Sequence, residues 1–229
     1  MRKPDLAIYS QGERLASGFV PSWDSPDITT NHWGPFRLMD ETRVRVRNVA
    51  DVPAVNALVH YYVSPFGIGT TRSLLQTRQV NIAPQSEIEL NFPLDDATLQ
   101  GDPRVGVHVV LEHPHDPNTQ NNRGSQVHDG AYTSGVGRVH SIQIPVVNSS
   151  GQTLTMQLGV LPTDILATVS PTSHTFLPHE QIMATLQIEI PGFLSGTSGV
   201  PVERHVSVIA RLGDGSLVGG ATRLLRIDN

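Results

Sequence analysis

The sequence contains no cysteine, and this absence removes three kinds of chemistry. Disulfide bridges, thiolate zinc sites and a cysteine nucleophile are all excluded. The cellular compartment stays open, because β-sandwich domains of about 100 residues fold without disulfides.

Positive charge is also scarce. Lys3 is the only lysine, charged residues make up 16% of the 229 residues, and the formal net charge is −5. Nucleic-acid binding depends on neutralising phosphates with clustered Lys and Arg, and no basic block of that kind is present. We therefore expect no nucleic-acid partner.

Long apolar runs are missing as well. The chain never reaches 18 consecutive apolar residues, so we expect no membrane span. The first ten residues contain two cations with no apolar run behind them, and no signal peptide is visible. Leaderless export, an earlier processing step and a cytoplasmic location all stay open, and we favour an extracellular or particle-associated location.

What the chain does contain is a hydrophobic period of two. Val44 and Val46 alternate with Arg43, Arg45 and Arg47, which is typical of a strand with one face in a core and one in water. The same alternation continues to the C-terminus, whereas no window supports a long amphipathic helix and 95–101 holds at most one short turn. Gly and Pro, at 20 and 17 residues, supply the turns between strands.

The strands fall into two groups. A stretch rich in Gly, Asn, Ser and Asp at 116–137 interrupts the alternation, and we interpret it as a loop and domain boundary. We predict an all-β fold of two tandem immunoglobulin-like antiparallel β-sandwiches. The predicted ranges are an N-terminal arm at 1–36 and sandwiches at 37–135 and 136–229.

The two halves resemble each other. In each, a strand ends in an asparagine and a turn, Asn48 or Asn148, and a later strand follows a proline turn, Pro84 or Pro178. The asparagines lie 100 residues apart, a spacing typical of immunoglobulin-like modules. The similarity favours two related sandwiches over one large barrel, and common ancestry of the halves stays open.

Residues from about 20 to 125 also resemble a known family. The segments concerned are Asp24-Ser25-Pro26-Asp27-Ile28, Val44-Arg45-Val46-Arg47-Asn48, Val59-His60-Tyr61-Tyr62, Pro84, Val107-His108-Val109-Val110, Asp116-Pro117-Asn118 and Asn121-Asn122. Together they are similar to the bacterial cell-adhesion-related domain. The resemblance implies an immunoglobulin-like fold and a role as a spacer or adhesive module, while its permissive motifs support fold more than function.

One cluster could hold a metal. His113, His115 and Asp116 are ordinary ligand types for zinc or nickel, and the Asp116–Asn122 stretch offers oxygens for calcium. We favour a turn closed by Asp and Asn side chains, because the histidines flank Pro114 at a strand exit and the stretch lacks a bidentate Glu. We predict no metal site, no cofactor and no catalytic residue. A hydrolase built from scattered Ser, His and Asp stays as a third alternative.

Two other motifs are incomplete. Gly67-Ile68-Gly69 lacks the third glycine of a dinucleotide loop, and His179-Glu180-Gln181-Ile182-Met183 has methionine where a zinc protease needs its second histidine. The Arg43, Arg45 and Arg47 face could bind a polyanion, and a solvated strand face is the preferred interpretation.

The aromatic residues give the best functional indication. Five of the twelve precede residue 37: Tyr9, Phe19, Trp23, Trp33 and Phe36. Such an arm could dock on a partner or a sugar ring through Trp23, Trp33 and Phe36, or could close its own sandwich.

We therefore predict a non-enzymatic structural or interaction protein. It would act as a rigid spacer, decoration or adaptor in a larger bacterial or phage-like assembly, with copies of itself or other subunits as partners. The alternative is an adhesive module that binds carbohydrate or a cell surface.

Overall fold

The computed structural model describes residues 2–30, 32–33, 36–37, 41–94, 104–133, 139–190 and 202–227. Nearly all of its regular structure is β-strand, so the prediction of an all-β fold is confirmed. The chain forms two compact units. Unit 1 is Met1–Pro65 with Arg72–Gln126, and unit 2 is Phe66–Thr71 with Val127–Asn229.

Unit 1 begins with short elements and continues with long strands. They are β1 (Leu6–Ala7), α1 (Gln11–Ala16), β2 (Ile28–Thr29), β3 (His32–Trp33), β4 (Phe36–Arg37), β5 (Glu41–Asn48), β6 (Ala54–Pro65), β7 (Ser73–Ile82), β8 (Ser86–Pro93), β9 (Val105–Glu112), a 3-10 turn (Thr119–Asn121) and the first four residues of β10 (Arg123–Thr133).

Two antiparallel sheets enclose the core of unit 1. In one, β5 pairs along its length with β8 and on its other side with β1 and β2. In the other, β6 lies between β7 and β9. The alternation predicted for β5 is present, since Val44 and Val46 are fully buried beside exposed Arg43 and Arg45. Apolar side chains from both sheets form one buried cluster, which makes unit 1 a β-sandwich.

Unit 2 is built from the later strands. They are β11 (Val139–Val147), β12 (Leu154–Val160), β13 (Leu166–Ser170), β14 (Ser173–Phe176), β15 (Gln181–Glu189), β16 (Val202–Leu212), β17 (Leu217–Ile227) and the remainder of β10. One sheet has the order β11, β15, β13, and the other has β14, β12, β16, β17, β10. All of these pairings are antiparallel except that of β17 with β10, which is parallel.

The Gly67-Ile68-Gly69 motif has a structural use within unit 2. The Ile68 N–H donates to Pro145 O, and the Ile68 carbonyl accepts from the Val147 N–H, each at 2.9 Å. Gly69 has a positive φ of 73°, and a side chain there would collide with the Val147 carbonyl. The glycines therefore allow this segment to lie against β11.

Two details differ from the sequence interpretation. The loop predicted across 116–137 is wrong for Arg123–Thr133, which form β10. Its alternation is hidden because buried positions such as Gln126 and His128 are polar. Helix α1 was not predicted, although Ser10 and Glu13 have the spacing of a capping box and the Glu13 N–H does donate to Ser10 Oγ at 3.3 Å. The short turn expected at 95–101 lies outside the described residues.

The unit boundaries also differ from the predicted domain ranges. The predicted division falls after residue 135, whereas the compact units divide after Gln126, and Phe66–Thr71 belongs with the second. The arm, expected at 1–36 to pack on the first sandwich or on a partner, falls within unit 1. Across the described ranges, no helix has both the length and the apolar character needed to cross a membrane.

Candidate functional site

Of the three aromatic residues singled out in the arm, Trp23 is the one whose side chain is described. It is only 3% exposed, so it packs within the chain. Trp33 and Phe36 pair through the backbone in the β3–β4 hairpin. Their side chains lie outside the described part of the structure.

The ring of His113, one histidine of the candidate metal cluster, is engaged by the chain itself. His113 Nδ1 accepts from the His115 N–H at 3.2 Å, so its Nε2 carries the proton and donates to Val55 O at 3.1 Å. Among the described residues, no group of three or more His, Asp or Glu has the arrangement needed to hold a metal.

Asp116 instead anchors the arm. Its Oδ2 accepts from the Leu6 N–H and from Asn122 Nδ2, and its Oδ1 accepts from the Asn118 N–H, each at 3.0 Å. The turn closed by Asp and Asn side chains is therefore present. The same carboxylate places β1 beside the end of β9.

The arginine face of β5 is largely paired. Both Arg47 Nη atoms donate to the buried Asp27 carboxylate, the Nη1 contact being 2.7 Å, and Asp27 Oδ2 also accepts from the Tyr9 N–H at 2.6 Å. The hydrogen bonds to Asp27 raise the pKa of Arg47. Arg43 and Arg45 form exposed ion pairs with Glu41 and Glu87. Each guanidinium of this face thus lies next to a carboxylate, which weakens the case for a polyanion site.

A polar groove of about 480 Å³ lies in unit 1 where the arm crosses the sandwich. Its walls come from the arm, from the Pro26–Asp27 corner, from the end of β5 and from the 3-10 turn. The polar side chains that line it are those of Asp5, Tyr9, Ser10, Glu13, Arg14, Asp27, Arg47, Asn118 and Asn121.

Two links fix the groove walls. Ser10 Oγ donates to Gln120 O at 2.7 Å, and Asn121 Nδ2 donates to Asp5 Oδ1 at 3.0 Å. Gly124 lies below the arm, and a Cβ there would approach Ile8 and the Tyr9 carbonyl to 3.0 Å. The arm therefore lies in close contact with both the 3-10 turn and the start of β10.

A second polar cluster in unit 1 is centred on His108. The ring contacts Ser64 Oγ through Nε2 at 3.1 Å and Ser125 Oγ through Nδ1 at 3.0 Å. Burial, reinforced by the positive charge of Arg72, lowers the pKa of His108 well below its ordinary value, so the ring is neutral at pH 7.

The spacing of Ser64 and His108 would suit a nucleophile and its base, but the surroundings do not. Ser64 Oγ donates to Pro65 O, both side chains are buried, and Nδ1 faces a hydroxyl where a carboxylate would orient a catalytic histidine. Gln11 of the arm bonds both backbone groups of Ser125. The cluster therefore ties the arm to the sheet.

The most exposed apolar strand of unit 1 is β7. Of the described strands it pairs only with β6, and it contains no Asp, Glu, Lys, Pro or Gly. Leu74 and Leu75 are 53% and 42% exposed. Strand β8, also at a sheet edge, differs because it presents Glu87 and Glu89 to solvent.

Sequence reasoning missed the residues that meet at the groove only after folding. Asp27, Arg14 and Asn121 are distant in sequence, and no spacing rule joins them. The Ser10-to-Glu13 capping box was the one local signal that would have placed α1 beside the groove.

No protein-family model matches the sequence, and no curated protein matches it. Several solved structures are distantly similar. Escherichia coli alpha-2-macroglobulin activated by porcine elastase is 8% identical, with 100% of this chain and 22% of that chain covered and a TM-score of 0.33. Red sea bream transglutaminase is 10% identical, with coverages of 94% and 33% and a TM-score of 0.31.

A Salmonella alpha-2-macroglobulin mutant is 10% identical, with 99% of this chain and 16% of that chain covered and a TM-score of 0.34. The chain thus spans less than a quarter of the macroglobulin chains and a third of the transglutaminase chain.

Proposed function

We propose that this chain is a non-enzymatic interaction module that assembles by pairing β7 with β7 of a second copy. In that role it would serve as a spacer, decoration or adaptor in a larger assembly. The observation that carries the proposal is the open edge of β7, whose one charged residue, Arg78, lies over the Phe92 ring. A sheet edge presents unpaired N–H and C=O groups, and natural proteins usually block such an edge with charge, proline or a covering segment.

The composition of β7 suits pairing with itself. An antiparallel pair centred on Thr77 places Arg78 opposite Gln76 and Leu74 opposite Val80. No like charges then face each other, and apolar side chains meet. Because the contact is the same on both copies, it closes as a two-fold dimer and does not extend into a fibre.

The polar clusters support a role without catalysis. His108 and Ser64 are buried and engaged, and His113 has both ring nitrogens bonded within the chain. Asp116 and Asp27 each accept hydrogen bonds from the arm. These groups stabilise unit 1, so they are poorly placed to act on a substrate.

Sedimentation of the full chain tests the proposal, at concentrations from about 1 µM to about 1 mM, which bracket strong and weak association. We expect a monomer–dimer equilibrium for the parent. Leu74→Lys should weaken dimerisation at least about tenfold, since a lysine on an edge strand opposes pairing and tenfold corresponds to about 1.4 kcal/mol.

Leu166→Lys is the matched control, because Leu166 is a similarly exposed leucine on β13 of unit 2. It should dimerise like the parent. A parent that stays monomeric throughout the range would contradict the proposal. So would a dimer that is insensitive to Leu74→Lys or is lost in Leu166→Lys.

A further inference from the structure

The sheet of unit 1 that contains β6 carries a row of side chains on its outer face. Tyr61 of β6 is fully buried in the core, so the next residue, Tyr62, lies on the opposite face. Tyr62 is paired with Leu74 of β7 and with His108 of β9, and the His108 ring contacts Ser125 Oγ of β10 at 3.0 Å. The row therefore crosses neighbouring strands of unit 1 from β7 to β10.

An arginine flanks this row on each side. Arg123 precedes Ser125 by two positions in β10, and Arg72 precedes Leu74 by two positions, directly before β7. Because side chains two apart in extended chain share a face, the alternation places both arginines on the face of Tyr62. Both arginines reach solvent.

The two guanidinium groups are close together and have no carboxylate partner. Burial of the group and the positive charge of Arg123 lower the pKa of Arg72, so the two cations repel each other. The charge of Arg72 also adds to the effect of burial in lowering the pKa of His108. Across the described ranges, neither arginine forms an ion pair with a carboxylate. Arg43, on the other sheet of unit 1, differs because it is paired with Glu41.

The remaining groups of this face favour an anion as the missing partner. Glu112 is also on the outer face, but its Oε2 lies 3.3 Å from His60 Nε2, and it forms no ion pair with Arg72 or Arg123. The Tyr62 hydroxyl has no hydrogen-bond partner in the described part of the chain and can donate. A cation would add to the repulsion between the arginines, and a neutral ligand would leave it in place.

We propose that unit 1 binds a phosphate or sulfate group between Arg72 and Arg123, with the Tyr62 hydroxyl as a further donor. The planar guanidinium presents parallel N–H donors that match two oxygens of such a group, and a dianion compensates both positive charges. All three side chains belong to unit 1. The site is therefore complete in one copy of the chain and does not rest on the pairing of β7.

The test is titration calorimetry of the full chain at about pH 7.5, where phosphate is mainly a dianion. The probes are inorganic phosphate, inorganic sulfate and phenyl phosphate, with chloride keeping the ionic strength constant. We expect saturable binding that does not change with protein concentration. Tighter binding of phenyl phosphate would identify a group carried by a larger molecule, and tighter binding of an inorganic probe would identify a free ion; both support the site. Arg72→Gln and Arg123→Gln should each weaken binding at least about tenfold, because each removes a charge-assisted bidentate contact.

Arg43→Gln is the matched control, since it removes the same charge from an exposed arginine on the other sheet of unit 1. It should bind the probes like the parent. Melting curves without a probe show whether each variant is folded. Absence of saturable binding for all three probes would overturn the proposal. So would unchanged affinity in folded Arg72→Gln and Arg123→Gln proteins, or an equally large loss in Arg43→Gln.

Discussion

Each unit contains a corner built on a buried asparagine, and the two corners differ in the residues that they bind. In unit 1, β5 ends at the buried Asn48, and in unit 2 the buried Asn148 directly follows β11. The pairs β5–β8 and β6–β7 of unit 1 correspond to the pairs β11–β15 and β12–β14 of unit 2. The side-chain amides donate to carbonyls across the corner: Asn48 to Val52, Ile82 and Ala83, and Asn148 to Gln152 and Leu177.

The difference lies on the acceptor side of the amide. Asn148 Oδ1 accepts from both the N–H and the hydroxyl of Ser150, so the corner of unit 2 is closed locally. Asn48 Oδ1 accepts from the Ala50 N–H and, at 3.4 Å, from the Asp5 N–H of the arm. A corner that is closed locally in unit 2 therefore serves in unit 1 as an attachment point for the arm.

The attachment has chemical consequences. The arm brings Asp27 to Arg47, Gln11 to Ser125 and Arg14 to the groove wall. Most of the residues that line the groove of unit 1 come from the arm. The following variants test how far the arm is part of the fold of unit 1.

The largest expected effect is that of removing the Trp23 side chain. Trp23 is buried within unit 1, so Trp23→Ala should lower the free energy of unfolding by about 3 to 5 kcal/mol through lost burial and the resulting cavity. Urea unfolding followed by circular dichroism measures the change. The monomer–dimer equilibrium of the folded fraction should be unchanged.

Trp23→Phe is the control, because it keeps most of the apolar volume and should cost clearly less than Trp23→Ala. If Trp23→Ala unfolds like the parent but associates differently, the arm acts through a partner and not through the core of unit 1.

The second prediction compares the two variants in which a corner asparagine is replaced by alanine. Asn148→Ala removes the donor of two part-buried hydrogen bonds and the acceptor of two from Ser150, and we expect a loss of about 2 kcal/mol. Asn48→Ala removes the donor of three hydrogen bonds, one of them to the buried Ile82 carbonyl, and the acceptor of two, so the loss should be larger, about 3 kcal/mol. Differential urea unfolding of the two variants gives both values.

Proteolysis of the arm gives a second measurement on the same two variants, Asn48→Ala and Asn148→Ala. Limited proteolysis should cut within residues 2–30 faster in Asn48→Ala than in Asn148→Ala, because only the first change loosens the attachment of Asp5. Equal protection of the arm in both variants would show that Asn48 supports the corner alone.

These contrasts also explain what could be predicted from sequence. Strand β5 was predictable because its two faces differ in polarity, and the corner asparagines were visible as a repeat 100 residues apart. Strand β10 was not, because Gln126 and His128 are buried polar residues whose suitability depends on partners supplied by folding. The same limit applies to the groove, since nothing local connects Arg14 with Asn121.

The burial of His108 predicts how the free energy of unfolding depends on pH. The ring is buried within unit 1 between Ser64 and Ser125, and burial together with the charge of Arg72 holds its pKa well below 6.5 in the folded chain. Above about pH 6.5 the histidine is neutral in both the folded and unfolded states and contributes no pH dependence. Below it, the unfolded chain binds a proton that the folded chain does not.

The free energy of unfolding should therefore fall as the pH drops below about 6.5, by up to about 1.4 kcal/mol per pH unit from this residue. His108→Gln removes the titration while keeping a polar group between the two hydroxyls, and it leaves the other nine histidines as an internal reference. Between about pH 7.5 and about pH 5.5, the parent should lose about 1 kcal/mol more stability than His108→Gln. Parallel urea titrations at the two pH values measure this difference. Equal losses would mean that His108 is protonated as readily in the folded chain as in the unfolded one, and the cluster would then be open to water and not a sealed anchor for the arm.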